Sequence, residues 1–311
     1  MDKGEQLYQM ALQHLEAGKL DLYRATLLMA AKADNDAALG LVGKDEMLGN
    51  GFEYNPEEGF KKLEKSYALL DNTAVLADIA YARFRGIGTK YDSVKAVENA
   101  EHAFKVSSGK SGGYVLGLAY WEGRGVKRDQ IKALNIWKQG SELGDIGAFG
   151  MLNVEYALAN EGVNKVLGTQ IKPVEAAKAL QGKSFLYFPY IYGKMSLMCE
   201  KGVGFSFDPG TVIYIARMGE DGHDPYSLYR VGLCYEKGYG VSLDLTKALS
   251  YYTKAMNLHC VDAYLKLAEI YGTDRYGLKP NRSLALGALD KAKTVASYSD
   301  LKAIEEVASK L

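Results

Sequence analysis

Five Gly-x-Gly motifs punctuate this chain, at Gly49 and Gly51, Gly86 and Gly88, Gly123 and Gly125, Gly202 and Gly204, and Gly238 and Gly240. A glycine-rich loop that leads into a helix can cradle phosphate on free backbone amides. Two copies, "GIGTK" and "GRGVKR", also place a basic residue nearby. A phosphate loop follows a strand, however, whereas each copy here follows a stretch with helical periodicity. Five copies of one catalytic loop would also be redundant, so the motif reads as turn structure.

The remaining chemistry-bearing residues are dispersed. His14, His102, His223 and His259 share no i, i+4 spacing with each other or with a cysteine. A zinc site needs about three or four converging ligands. His102 and His259 fall in stretches that read as helix, where a structural or surface role is the simpler assignment. Cys199, at an anchor, and Cys234, just before one, read as small buried hydrophobes rather than nucleophiles. The pair Glu57 and Glu58 favours a helix N-terminus. No catalytic residue, metal or cofactor is assigned, and the expectation is a protein that is not an enzyme.

Composition narrows the class further. The 311 residues are 48% hydrophobic and 24% charged, enough for a folded core. Lysine plus arginine equals aspartate plus glutamate at 38 each, so no global field recruits nucleic acid or an anionic membrane. No apolar run is long enough to span a bilayer, and the charged N-terminus does not resemble a signal peptide. An odd number of cysteines suits a reducing compartment. These readings point to a cytoplasmic, fully folded chain that neither inserts into membranes nor binds nucleic acid.

Stepping from motif to motif uncovers the elements that carry them. With the residue three before each first glycine as anchor, the anchors are Glu46, Arg83, Tyr120, Cys199 and Tyr235, with degenerate copies at Tyr156 and Tyr271. Successive intervals are 37, 37, 36, 43, 36 and 36 residues, and repetition at this period marks a solenoid. Nine residues after the anchor stands Asn55, Asp92, Asp129, Asp208 or Asp244, each suited to cap a following helix. Small or aliphatic residues 8, 4 and 3 before the anchor share one helical face with it. Each repeat is therefore helix A, a glycine turn, then a capped helix B. Seven extra residues within "ANEGVNKVLGTQIK" explain the interval of 43.

The stretches "GYVLGLAYWEGRGVKRDQIKALNIWKQGSELGD" and "SLYRVGLCYEKGYGVSLDLTKALSYYTKAM" resemble the Sel-one-like repeat family, relatives of the tetratricopeptide repeats. The resemblance implies a right-handed superhelical α-solenoid of about eight antiparallel helix pairs, all-α throughout. It would be a single domain over 1–311, with a capping pair at 1–36, repeats at 37–297 and a closing helix at 298–311. It also implies a non-catalytic scaffold or adaptor that binds a protein or peptide in its concave groove. A more specific version is a cytosolic bacterial immunity protein or chaperone that neutralises an effector or toxin. An enzyme with a groove active site is the alternative from another class, to be marked by a cluster of strongly shifted ionisable groups.

In such a solenoid, helix A lines the groove. Positions 9, 6 and 2 before the anchor, and one after it, form a stripe facing away from the packing face. This stripe holds Tyr81, Phe84, Tyr114, Leu118, Trp121, Tyr190, Tyr226, Tyr229 and Leu233, and these are the expected protein-binding residues. If helix A is sandwiched between its neighbours, the same residues are core instead. The aromatic stretch "SFLYFPYIYG" (184–193) falls at a junction between repeats. Pro189 is expected to open a helix A, with Phe185, Tyr187 and Phe188 covering the irregular region made by the insertion.

Overall fold

The computed structural model describes residues 2–70, 73–274 and 277–311, and among them every regular element is helical. The described helices are α1 (Lys3–Glu16), α2 (Leu20–Lys32), α3 (Asp36–Leu48), α4 (Pro56–Leu70), α5 (Leu76–Arg85), α6 (Ser93–Val106), α7 (Gly113–Glu122), α8 (Gln130–Leu143) and α9 (Ile146–Leu158). They continue with α10 (Asn160–Leu167), α11 (Pro173–Leu180), α12 (Pro189–Glu200), α13 (Pro209–Asp221), α14 (Pro225–Lys237), α15 (Leu245–Asn257), α16 (Val261–Gly272), α17 (Arg282–Val295) and α18 (Tyr298–Ala308).

The repeat is built by a backbone device as much as by side chains. At four anchors the carbonyl of Glu46, Arg83, Tyr120 or Tyr235 accepts the N–H of the residue nine positions on, at 2.9–3.0 Å. That residue is the capping Asn55, Asp92, Asp129 or Asp244. Its side chain accepts a first-turn amide of the next helix: Lys95 to Asp92 at 3.0 Å, Lys132 to Asp129 at 2.9 Å, Lys247 to Asp244 at 2.9 Å. One residue thus closes the turn and opens helix B, which fixes the interval between them. The degenerate copy at Tyr271 keeps the device with one residue more, Asn281 donating to the Tyr271 carbonyl at 2.6 Å. Left-handed glycines make the turn possible. Gly88, at φ +67°, lies so close to the Pro56 carbonyl that a Cβ there would stand 1.9 Å from the oxygen.

By contact the chain divides into two compact units, residues 1–116 and 117–311, with the division falling inside α7. In the N-terminal unit α1 packs on α2, α3 on α4 and α5 on α6. Its first layers share a core of Ala11, Leu27, Ala30, Ala38 and Val42. In the C-terminal unit α12 packs on α13, α14 on α15 and α16 on α17. First helices also pack in series there: α9 against α12, α12 against α14, α14 against α16, and α16 against α18. Helix α18 closes the series by adding Ile304 and Val307 to a core with Val261, Ala268, Ala285 and Leu289.

The insertion folds as the short helix α10. Asn164 ties down its exit: its side-chain oxygen accepts from Ile171 N–H at 3.0 Å and Thr169 Oγ1 at 2.8 Å, while its amide donates to the Ile171 carbonyl at 2.8 Å. The aromatic stretch beyond α11 meets its expected role in part. Phe185 is fully buried against Gly150 of α9, and its N–H donates to the Tyr192 hydroxyl at 2.8 Å. Tyr187 and Phe188 are half-buried, and α12 opens on Pro189 as its fixed φ favours. One placement differs from the spacing: His259 lies outside α15, in the turn that follows, at φ +62°. The left-handed turn ends the helix two residues short of it.

Candidate binding face of the C-terminal unit

The stripe of nine residues divides by burial. Tyr81 and Phe84 on α5 and Tyr114 on α7 are buried in the N-terminal unit, where the Tyr81 and Tyr114 rings pack at 5.9 Å. Leu118, Tyr190 and Leu233 are buried in the C-terminal unit; Leu233 shares a core with Tyr252, Leu267 and Ile270. Tyr190 and Leu233 are enclosed because α12 and α14 each pack against both their own partner helix and the next first helix. Trp121, Tyr226 and Tyr229 stay half-buried. Trp121 leans on Trp137 at 5.5 Å, across Gly117, whose missing side chain makes room for the indole.

Tyr226 and Tyr229, one turn apart on α14, belong to an aromatic row. Tyr190 of α12 stands 5.5 Å from Tyr226, Tyr226 is 6.1 Å from Tyr229, and Tyr229 is 5.7 Å from Tyr252. The Lys194 ammonium inserts into this row, 5.0 Å from the Tyr190 ring centre and 4.8 Å from that of Tyr226. Ring faces carry negative quadrupoles, so a desolvated cation is held there by roughly 2 kcal/mol. Burial works against the ammonium, but Tyr190, Tyr226 and Glu155 outweigh it and hold Lys194 well above the ordinary lysine range.

Glu155 of α9 faces the same region. It is only 6% exposed, and burial raises its carboxyl to about 7 while the Lys194 charge pulls it back. Asp262 of α16 borders an open cleft of about 280 Å³ between α14, α16 and α18, with Tyr229, Lys266 and Glu306 on its walls. The surrounding protein shifts the Asp262 carboxyl upward, assisted by Asp300 and opposed by Lys194. Burial likewise raises the Tyr226 and Tyr229 hydroxyls. At one edge Arg124 pairs with Glu122 at 3.0 Å and with Asp300, in the first turn of α18, at 3.5 Å.

Sequence reasoning from aromatic spacing misses Lys194, Glu155 and Asp262. A signal for them existed. Lys194, Arg230 and Lys266 each stand five residues before an anchor, a basic residue in three consecutive repeats. Elsewhere the chemistry is sparse. Among the described residues no group of three or more His, Cys, Asp or Glu side chains is placed to hold a metal. All three cysteines are buried and unbridged. Burial raises the Cys234 thiol to about 11, away from the thiolate a nucleophile needs. Among the described residues no helix is long and apolar enough to cross a membrane.

The Sel1 repeat family matches residues 74–103, 114–145, 225–259 and 261–287. These segments are Sel1 repeats. Sel1-repeat proteins are generally protein-interaction scaffolds and generally non-catalytic. The chain is also 31% identical over 106 residues to chitin synthase regulatory factor 3 of Schizosaccharomyces pombe, a match over 34% of this chain and 11% of that protein. Among solved structures it is similar to the protective antigen c5321 of uropathogenic Escherichia coli, at 19% identity and TM-score 0.43, over 99% of this chain and 65% of the other. It is similar to a Sel1 repeat protein from Oxalobacter formigenes at 20% identity and TM-score 0.38, over 92% and 99% of the two chains. A third similarity, at 17% identity and TM-score 0.44, is to the immunity protein Pa5087 of Pseudomonas aeruginosa, over 73% and 83%.

Proposed function

We propose that this chain is a non-catalytic scaffold that binds a polypeptide on the first-helix side of its C-terminal unit. Trp121, Tyr226 and Tyr229 supply the aromatic contacts. The observation that carries the reading is the row Tyr190–Tyr226–Tyr229, buried at Tyr190 and half-buried at Tyr226 and Tyr229, with an ammonium seated in it. Tyrosine and tryptophan dominate binding energy at interfaces because they add large contact area at low entropic cost. Buried members of the stripe, such as Phe84 and Leu118, hold the helices in place and serve recognition only through them.

A cluster of shifted ionisable groups is also what a groove enzyme would carry, and the direction of the shifts favours the scaffold reading. A lysine nucleophile needs a lowered pKa and a tyrosine base a lowered phenol. Lys194, Tyr226 and Tyr229 are all shifted upward, so each keeps its proton. Burial brings the Glu155 carboxyl up to about 7, and among the described residues no serine, cysteine or threonine hydroxyl or thiol is hydrogen-bonded to it. These groups are suited to holding charge rather than transferring it. Three unbridged cysteines support a reducing, cytoplasmic setting, and the balanced charge supports a protein partner over nucleic acid.

The test is affinity capture from a native lysate of the source cells with wild-type chain and with a Trp121→Ala/Tyr226→Ala/Tyr229→Ala variant of unchanged helicity. A polypeptide retained by the wild type should fall at least tenfold on the variant. Equal recovery would overturn the assignment of this face.

A further inference from the structure

The three basic residues five positions before an anchor have different surroundings. Arg230 of α14 reaches back to Glu200, the residue after the preceding anchor, and pairs with it at 2.6 Å. Lys266 of α16 makes the equivalent reach to Glu236 at 3.4 Å. Arg230 and Lys266 are 36 residues apart, as are Glu200 and Glu236, so this is one interaction repeated by the fold. By the same rule Lys194 of α12 should reach the residue after the anchor Tyr156. That residue is Ala157, buried at 4% exposure. Its methyl group offers no acceptor, and Lys194 makes no ion pair with any described residue. It lies instead between Tyr190 and Tyr226.

We propose that the carboxylate missing from this step is supplied by the binding partner, and that Lys194 is the docking point for a partner's aspartate or glutamate side chain. This rests on the scaffold reading above and names the chemistry that the same face selects. Lys194 carries three N–H donors, and the rings beside it accept charge but satisfy at most one of them through the Tyr190 hydroxyl. A charge-assisted bond to a carboxylate is about twice as strong as a neutral one and uses the donors that remain. The Glu155 carboxyl, in a residue only 6% exposed and with no side-chain hydrogen bond among the described residues, faces the same ammonium. In its neutral form it adds an O–H donor for an incoming carboxylate.

A cationic guest fits less well. It would meet the Lys194 charge directly, while Arg230 and Lys266 already occupy the neighbouring carboxylates Glu200 and Glu236. Asp262 is the opposing charge. It stands at the register position of Tyr226 one helix further along, beside the cleft, and feels the Lys194 charge without forming an ion pair with it.

The probes are fluorescein-labelled hexaglutamate and hexalysine, titrated by anisotropy at low ionic strength into the full chain. Hexaglutamate should bind the wild type, weaken at least tenfold with Lys194→Met, and recover with Lys194→Arg. Lys183→Met, which removes an exposed lysine in the turn after α11, should leave its affinity within twofold. Hexaglutamate binding that ignores Lys194→Met, or preferential binding of hexalysine that strengthens in that variant, would overturn the assignment. If hexaglutamate ignores Lys194 while the triple aromatic variant still loses its captured polypeptide, the carboxylate assignment fails and the scaffold reading stands. Retained capture by the triple variant with Lys194-dependent hexaglutamate binding would have the reverse meaning. A thermal melt of Lys194→Met guards against misfolding, and the arginine rescue makes the result independent of that variant alone.

Discussion

In the step from α12 to α14 a buried arginine finds a glutamate waiting; in the step from α9 to α12 the equivalent lysine finds a methyl group. Arg230, with its side chain 3% exposed, is bound to Glu200 at 2.6 Å, and its other amine donates to the Ser196 carbonyl at 3.3 Å. Lys237 holds the second oxygen of Glu200 at 2.6 Å. Burial raises the Glu200 carboxyl, but Lys237 and Arg230 outweigh it and keep it below the usual carboxylate value. At the interrupted step the seven-residue insertion has been folded in, the glutamate is absent, and Glu155 stands above its usual value instead of below. Identical register thus serves two purposes. Where the charges are matched the position is structural, and where they are unmatched it becomes available to a partner.

The comparison is broken most forcefully at Arg230. Arg230→Met leaves Glu200 with one cation in a half-buried site and should cost about 3 kcal/mol in a chemical-denaturation series, the usual cost of opening a buried pair. A loss under about 1 kcal/mol would mean that Lys237 alone holds the step together.

Glu155 should act with the opposite sign. A carboxyl whose folded pKa of about 7 exceeds its ordinary 4.5 binds its proton more tightly in the folded state. Its destabilising effect is absent below about pH 4, grows as pH rises through that window, and is complete above about pH 7. Lys194 is the charge that limits it, and Asp262 and Tyr226 face the same ammonium. Glu155→Gln should therefore stabilise the chain by about 2 kcal/mol at pH 8, with the gain vanishing near pH 4. Denaturation midpoints of the two proteins across pH 4–8 check this, and parallel curves would contradict it.

The smallest effect on folding belongs to Lys194. Lys194→Met gives up cation–ring attraction but also removes a partly desolvated charge, so stability should change by less than about 1 kcal/mol. The contrast with Arg230→Met, at the same register position, is the sharpest form of the comparison.

Much of this architecture is legible in the sequence, because the signals that encode it are local. Asp92, Asp129 and Asp244 announce their helices through side chain and position alone, and the glycine turns announce the left-handed backbone. Burial is less legible. Phe84 and Trp121 hold the same register position, one after the anchor, yet Phe84 is fully enclosed and Trp121 is half open. What separates them is the packing of neighbouring helices, which a single helix's periodicity does not contain. The interrupted step is hidden for a related reason. The insertion shifts the interval from 36 to 43, so Ala157 is recognised as the counterpart of Glu200 and Glu236 only when positions are counted from the anchors. The placement of Phe185 against Gly150 is likewise a contact between elements 35 residues apart.

Photo-crosslinking in native lysate tests the central claim most directly, with p-benzoylphenylalanine placed at Tyr229 in one sample and at Tyr214, a 65% exposed residue of α13, in the other. A polypeptide partner bound on the first-helix side should form a discrete adduct from position 229 and none from 214. An adduct from 214 alone, or equal yields from both, would place recognition on another surface and contradict the account.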